Sequence, residues 1–173
     1  PTCPLCSKKT TVFGLGTQRV EEDLSRLHPD LARAGAMVRV DSDSMNTGDD
    51  VHDVLDRFRT GEIRLLAGTQ MIAKGLDFPG VRLVGVVNAD TALNMPDFRA
   101  GERTFQLVAQ VVGRCGRGAS AGEAIIQTFQ PDAPAIRRAA EHDYEGFAER
   151  ELADRERFQL PPNRRLTRIV IRD

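Results

Sequence analysis

The chain has 173 residues, 40% of them hydrophobic, and 24 Lys and Arg set against 25 Asp and Glu leave a formal net charge of −1. That is one domain-sized unit able to bury roughly 70% of its unfolded surface, and the balanced charge excludes a global pull on nucleic acid, so any such contact must be local. Three cysteines exclude a disulfide framework, apolar runs such as Leu83 to Val87 are too short to cross a bilayer, and no secretion signal opens the chain; a reduced cytoplasmic setting away from membranes is expected.

Thr10 to Leu15 is β-rich and runs into Gly16-Thr17, a turn and helix cap. Val20, Leu24, Leu27 and Leu31 then recur at helical spacing, predicting one helix. Ala36 to Asp41 reads as a strand. Val51, Val54, Leu55 and Phe58 form the stripe of a second helix, closed by Gly61. Ile63 to Ala67 and Val81 to Asn88 are short apolar strands of the kind buried between helices in a parallel sheet, with a loop and short helix from Gly68 to Phe78 between them. A helix is expected over Ala100 to Val112, a strand over Glu123 to Phe129, and helices over Ala133 to Glu141 and Tyr144 to Phe158. A Pro161-Pro162-Asn163 turn and a last strand, Arg168 to Asp173, follow. Alternating short strands and helices predict an α/β fold, a mostly parallel sheet with helices on both faces. Ligands on such sheets sit beyond the carboxyl ends of the strands, here Gly14 to Thr17, Gly68 to Gln70, Asn88 to Asp90 and the helix end carrying Gln110 to Arg117.

No GxxxxGK[ST] string occurs, so the backbone cradle and lysine that hold nucleotide phosphates are missing, and this chain is not expected to hydrolyse ATP by itself. Gln110-Val-Val-Gly113-Arg114-Cys115-Gly116-Arg117 sets two arginines one helical turn apart at a helix end. Guanidinium groups presented there can reach a γ-phosphate across a cleft and stabilise transition-state charge; the bland alternative is a solvated, glycine-rich helix end. Gln110, three residues before the first glycine, favours the phosphate-facing reading. Gly68-Thr69-Gln70-Met-Ile-Ala-Lys74-Gly75-Leu-Asp77-Phe78 follows a strand directly. Thr69 stands where a hydroxyl and a backbone amide can bind a nucleic-acid phosphate, or simply cap a helix. Asp77 is placed for a ribose hydroxyl or for the arginines. Arg155, Arg157, Arg164, Arg165, Arg168 and Arg172 make the tail locally basic, which is either a solvated face or a DNA-backbone contact.

These two strings resemble motifs V and VI of superfamily two helicases. GTQMIAKGLDFPGVRLVGVVNAD, PDFRAGERTFQLVAQVVGRCGRG and FAERELADRERFQLPP, in that order, resemble the PriA family of primosomal replication-restart helicases across nearly the whole chain. The resemblance implies a RecA-like second helicase lobe over residues 10–158. It makes residues 1–9 the end of a zinc-binding insertion and residues 159–173 the start of a C-terminal domain. It implies an ATP-dependent 3′ to 5′ DNA helicase of replication restart and primosome assembly, acting on forked or single-stranded DNA with primosome and single-strand-binding proteins. Another superfamily two translocase, or a non-enzymatic binding module on an inactive motor fold, are the competing readings; the kept arginine pair and the PDFRAGER string speak against them.

By the same resemblance Arg117 is the arginine finger, Arg114 a second γ-phosphate contact and Gln110 the coupling residue beside them. Gly75, Asp77 and Gly113 belong to the nucleotide side; Thr69, Gln70, Lys74 and Arg99 belong to the DNA side. ATP and Mg²⁺ are expected on a first lobe that this chain lacks. Cys3 and Cys6 supply half of a four-cysteine Zn²⁺ site, which needs two further ligands. Asp97, Phe98, Arg99 and Glu102 match a string distinctive of the family, with stacking on a DNA strand or core packing both open for Phe98. Cys115 and Val112 stand where the family more often has alanine, which leaves the arginines untouched. Pro1 without a methionine and an unfinished last strand lead us to expect a segment of a longer protein.

Overall fold

The computed structural model describes residues 16–41, 48–69, 80–113, 122–167, 169 and 171. The expected strand over residues 10–15, the short helix within 70–79 and the zinc-insertion residues 1–9 lie outside them. The chain divides into two compact units, Pro1–Leu76 and Asp77–Asp173.

In the first unit α1 spans Thr17–Leu27 and α2 spans Pro29–Arg33, where the apolar spacing predicted one continuous helix. Pro29 is the reason. It has no N–H to give Ser25, and its ring pushes the preceding residue out of the helical region, so His28 sits at φ −128°, ψ 63°. Pro29 then opens α2 at the position where a missing donor costs nothing. Gly35, at φ 65°, turns the chain into β1, Met37–Val40. The second helix α3, Gly48–Arg59, ends as expected at Gly61, whose φ of 84° only glycine adopts without strain. The strand β2, Leu65–Gly68, pairs in parallel with β1, Met37 opposite Leu65 and Val40 opposite Gly68. Ile63, expected in that strand, precedes it and is 1% exposed. It packs with Val40 and Val54, while Val38, Phe58 and Leu66 border them, so α3 is held to the strands by its predicted stripe.

The second unit holds β3, Leu83–Val86, the short α4, Asp90–Leu93, then α5, Ala100–Val112. After them come β4, Glu123–Ile126, α6, Pro134–Ala140, and α7, Tyr144–Arg157. β3 and β4 are parallel, with Leu83 opposite Glu123 and Val86 opposite Ile126. Both strand pairs thus follow the expected sense, each joined by a helical crossover. α4 falls in what read as a loop. Phe105 and Val108 of α5, Ala135 and Ala139 of α6 and Phe147 of α7 form the core, with Ile126 packed against it. The Phe105 and Phe147 rings stack at 4.3 Å and 11°.

One expectation fails here. The run Val81 to Asn88 read as a strand buried on both faces, yet Leu83 is 59% exposed and Ile125 beside it 52%. The period of two sends Val84, Val86 and Ile126 toward the helices and their neighbours outward, and an apolar run cannot by composition alone show that both faces are covered. Of the expected last strand, Ile169 and Ile171 are described; both are outside any strand and exposed. Pro161 to Asn163 form the predicted turn, with a cis Pro161-Pro162 bond.

Candidate functional site

The expected site gathers at the carboxyl ends of strands and at the end of α5. In the first unit Thr69 follows β2 directly and is exposed, as a phosphate contact requires. The carboxyl end of β1 is tied down from α1. Thr17 and Arg39 both donate to the buried Asp41 carboxylate, and Arg39 Nε reaches Glu21 Oε2 at 2.9 Å.

In the second unit the loops after β3 and β4 are joined through Asp90, 7% exposed. Its carboxylate accepts from the Phe129 amide at 2.9 Å, from Thr128 Oγ1 at 3.1 Å and from Gln130 Nε2 at 3.3 Å. The Phe129 amide above all, aided by the two side chains and against the cost of burial, holds its pKa below the ordinary carboxylate value. The strand ends around any ligand are therefore fixed by a side chain that the sequence reading passed over.

The helix α5 carries the rest. Gln110 is exposed on its last turn, and Gly113 caps it at φ −67°, ψ −6°. That cap is right-handed, so the glycine is not required by a left-handed turn. What it allows is close approach, since a Cβ there would lie 3.1 Å from the Ala109 carbonyl oxygen. Arg114 and Arg117, like Gln70, Lys74, Gly75, Asp77, Cys3 and Cys6, lie outside the described residues. Among the described residues no group of three or more His, Cys, Asp or Glu is gathered as a metal site would need.

Arg99 stands at the opposite end of α5 from Gln110. Eleven residues at 1.5 Å per residue put about 16 Å between them, so the two do not share a site. Arg99 is bound up in the start of the helix: its backbone N–H donates to Asp97 Oδ1 at 2.9 Å, its guanidinium lies 5.4 Å from the Phe98 ring centre, and Asp97 also pairs with Arg103 at 3.0 Å. The Arg99 amide, then the two arginine charges, hold the Asp97 carboxyl below its usual range.

The PDFRAGER string, left open between stacking on DNA and packing, thereby has a structural reading. Arg155 of α7 comes to it, 12% exposed at the side chain. It bridges Glu102 Oε2 at 2.8 Å and Glu151 Oε1 at 2.9 Å and lies 5.3 Å from the Phe98 ring centre. Burial pulls the Arg155 pKa down, and the hydrogen bonds of Glu102 and Glu151 outweigh it, leaving the guanidinium more firmly protonated than usual. A Cβ at Gly101 would meet Glu151 Oε2 at 3.2 Å, so the glycine lets α7 close on α5. Arg155 read as part of a basic tail open to solvent or DNA; it is instead a buried bridge. The Glu151–Arg155 spacing of four on one helix was the signal for it.

Parallel strands joined by helical crossovers, with a glycine-arginine string at the end of one helix, match the model of the helicase conserved C-terminal domain over residues 5–119. The chain belongs to that family, and its α/β fold is RecA-like: it is a helicase lobe. Its relatives include the replication restart protein PriA of Bacillus subtilis strain 168, 45% identical over 171 residues, 98% of this chain and 21% of that protein. The PriA of Treponema pallidum is 46% identical over 172 residues, covering 99% and 25% of the two chains. That of Synechocystis is 46% identical over 161 residues, covering 92% and 19%. The chain thus spans about a fifth to a quarter of the length of the curated relatives it matches. Among the described residues no helix is long and apolar enough to cross a membrane.

Proposed function

We propose that this chain is the second motor lobe of an ATP-dependent 3′ to 5′ DNA helicase that restarts replication at forked or branched DNA. The observation that carries the reading is α5, one unbroken helix with a buried face, whose exposed last turn holds Gln110 and leads straight into Gly113-Arg114-Cys115-Gly116-Arg117. A helix packed in this way can hold guanidinium groups against a phosphate with little reorganisation. This sequence has no loop of its own to hold the nucleotide phosphates. ATP and Mg²⁺ are therefore bound by another lobe, and Arg117, Arg114 and Gln110 act on that nucleotide from outside it. Gly75, Asp77 and Gly113 line the nucleotide side of the cleft, while Thr69, Gln70 and Lys74 meet DNA. Arg99, paired and stacked at the far end of α5, contributes to that helix end in preference to the strand. Cys3 and Cys6 supply two thiolates to a Zn²⁺ site completed elsewhere in the protein, which works in the cytoplasm with single-strand-binding and primosome proteins.

The test is Arg117→Ala in a full-length protein carrying this segment. DNA-stimulated ATP turnover should fall by about 10³-fold or more, the value of an arginine finger, while affinity for a fork substrate stays within a few-fold. Parallel loss of turnover and DNA binding would show a folding role and defeat the assignment.

A further inference from the structure

Building on that reading of Arg114 and Arg117, we infer that Arg155 is a positioning residue for catalysis: from α7 it sets the tilt of α5 and thereby the placement of the arginines beyond its far end. α5 is a single helix of 13 residues, Ala100–Val112, so its two ends move as one rod. Its middle is pinned where Phe105 stacks on Phe147 at 4.3 Å. Its first turn is pinned by Arg155, through Glu102 at 2.8 Å and through the Phe98 ring.

Take the Phe105 stack as the pivot. Glu102 lies three residues, about 4.5 Å, to one side, and Gly113 lies eight residues, about 12 Å, to the other. A tilt that shifts the first turn by a few tenths of an ångström is then magnified two- to threefold where the arginine string begins. Without the guanidinium, Glu102 and Glu151 face each other as unscreened like charges and Phe98 loses one of its two cationic partners. Both changes push the start of α5 away from α7. A misplacement of about 1 Å at a catalytic group costs on the order of 10²-fold in rate, so a modest loosening here is legible in turnover.

The experiment compares Arg155→Ala, Arg117→Ala and the exchange Arg155→Glu with Glu102→Arg in a full-length protein carrying this segment. In the exchange the guanidinium returns from α5 and lies between the carboxylates of positions 151 and 155. For Arg155→Ala, kcat for DNA-stimulated ATP hydrolysis should fall about 10- to 100-fold. The KM for ATP and the affinity for fork DNA should stay within about threefold, because the phosphates and the strand are held elsewhere. The exchange should recover most of the lost kcat. Glu102→Gln, which keeps the helix and most of the side chain's volume, should show a smaller loss in the same direction and serves if Arg155→Ala does not fold. Unchanged kcat in a folded Arg155→Ala protein, or no recovery in a folded exchange variant, overturns the proposal. If Arg117→Ala also keeps its turnover, the finger reading falls and this one with it. If Arg117→Ala abolishes turnover while Arg155→Ala keeps it, the positioning role alone is refuted.

Discussion

Phe147→Ala should unfold the second unit at markedly lower denaturant than the parent chain. Phe147 is 5% exposed, stacks face to face on Phe105 and borders Val108, Ala135 and Ala139, so truncation leaves a ring-sized hole among helices that cannot close over it. Loss of a buried phenylalanine side chain to alanine costs about 3–5 kcal/mol, of which the ring stack supplies about 0.5–1.5 kcal/mol. With a urea m-value of about 2 kcal/mol/M, the midpoint moves down by roughly 2 M. The chain carries its own reporter. It has no tryptophan and a single tyrosine, Tyr144, whose ring lies 6.1 Å from that of Phe105, so intrinsic tyrosine fluorescence follows this unit. Phe147→Leu, which refills part of the volume without the stack, should fall between the two, and Phe158→Ala, at a ring 63% exposed, should lie within about 0.5 kcal/mol of the parent. A Phe147→Ala midpoint within about 0.5 M of the parent, at unchanged m-value, would refute the packing of α5 on α7 through this pair.

Two further outcomes are expected with the same reporter. Asp143 caps α7 by accepting from the Gly146 amide at 2.8 Å, so Asp143→Ala should cost about 1 kcal/mol, and a neutral result would remove the cap from the account. Asp90 has its folded pKa below the ordinary value, chiefly through the Phe129 amide, so its carboxylate stabilises the fold above the unfolded value of about 3.9. That contribution is lost as pH falls through the lower folded value. The midpoint gap between the parent and Asp90→Asn should therefore be wide at pH 7 and narrow near pH 3; a gap that does not change with pH would show that the charge is irrelevant.

Much of this fold is legible from patterns with a local cause. The stripe Val51, Val54, Leu55 and Phe58 gave α3 and its burial, and Gly61 gave its stop, because period and left-handed backbone both leave marks in the sequence. His28-Pro29 carried an equally local signal, yet Leu31 kept the helical spacing going and masked the break. Leu83 to Val87 misled for the opposite reason: what covers a sheet face is decided by elements distant in the chain. The site divides along the same line. The arginine string and the Thr69 loop could be found from short motifs, whereas Asp90 with Thr128, Phe129 and Gln130, and Arg155 with Glu102, join residues 38 to 53 positions apart. No single motif contains both ends of such a bond.

The division of labour along α5 accounts for the composition of the strings around it. Its buried face, Thr104, Phe105, Val108 and Val111, recurs at helical spacing and fixes the rod's rotation about its own axis. Rotation alone leaves tilt free, and tilt is what a group beyond the last turn feels most. A second attachment distant from the first is required, and the polar PDFRAGER string provides it where α7 passes, with Gly101 admitting Glu151 and Glu102 meeting Arg155. Charged residues suit that end because it stays partly open to water, with Glu102 still 39% exposed, where an apolar contact would gain little. A guanidinium suits it better than an ammonium, since its planar fork can satisfy carboxylates on two helices and lie over a ring at once. Arg155→Lys should therefore keep one ion pair and lose the bridge, leaving α5 folded but less firmly aimed.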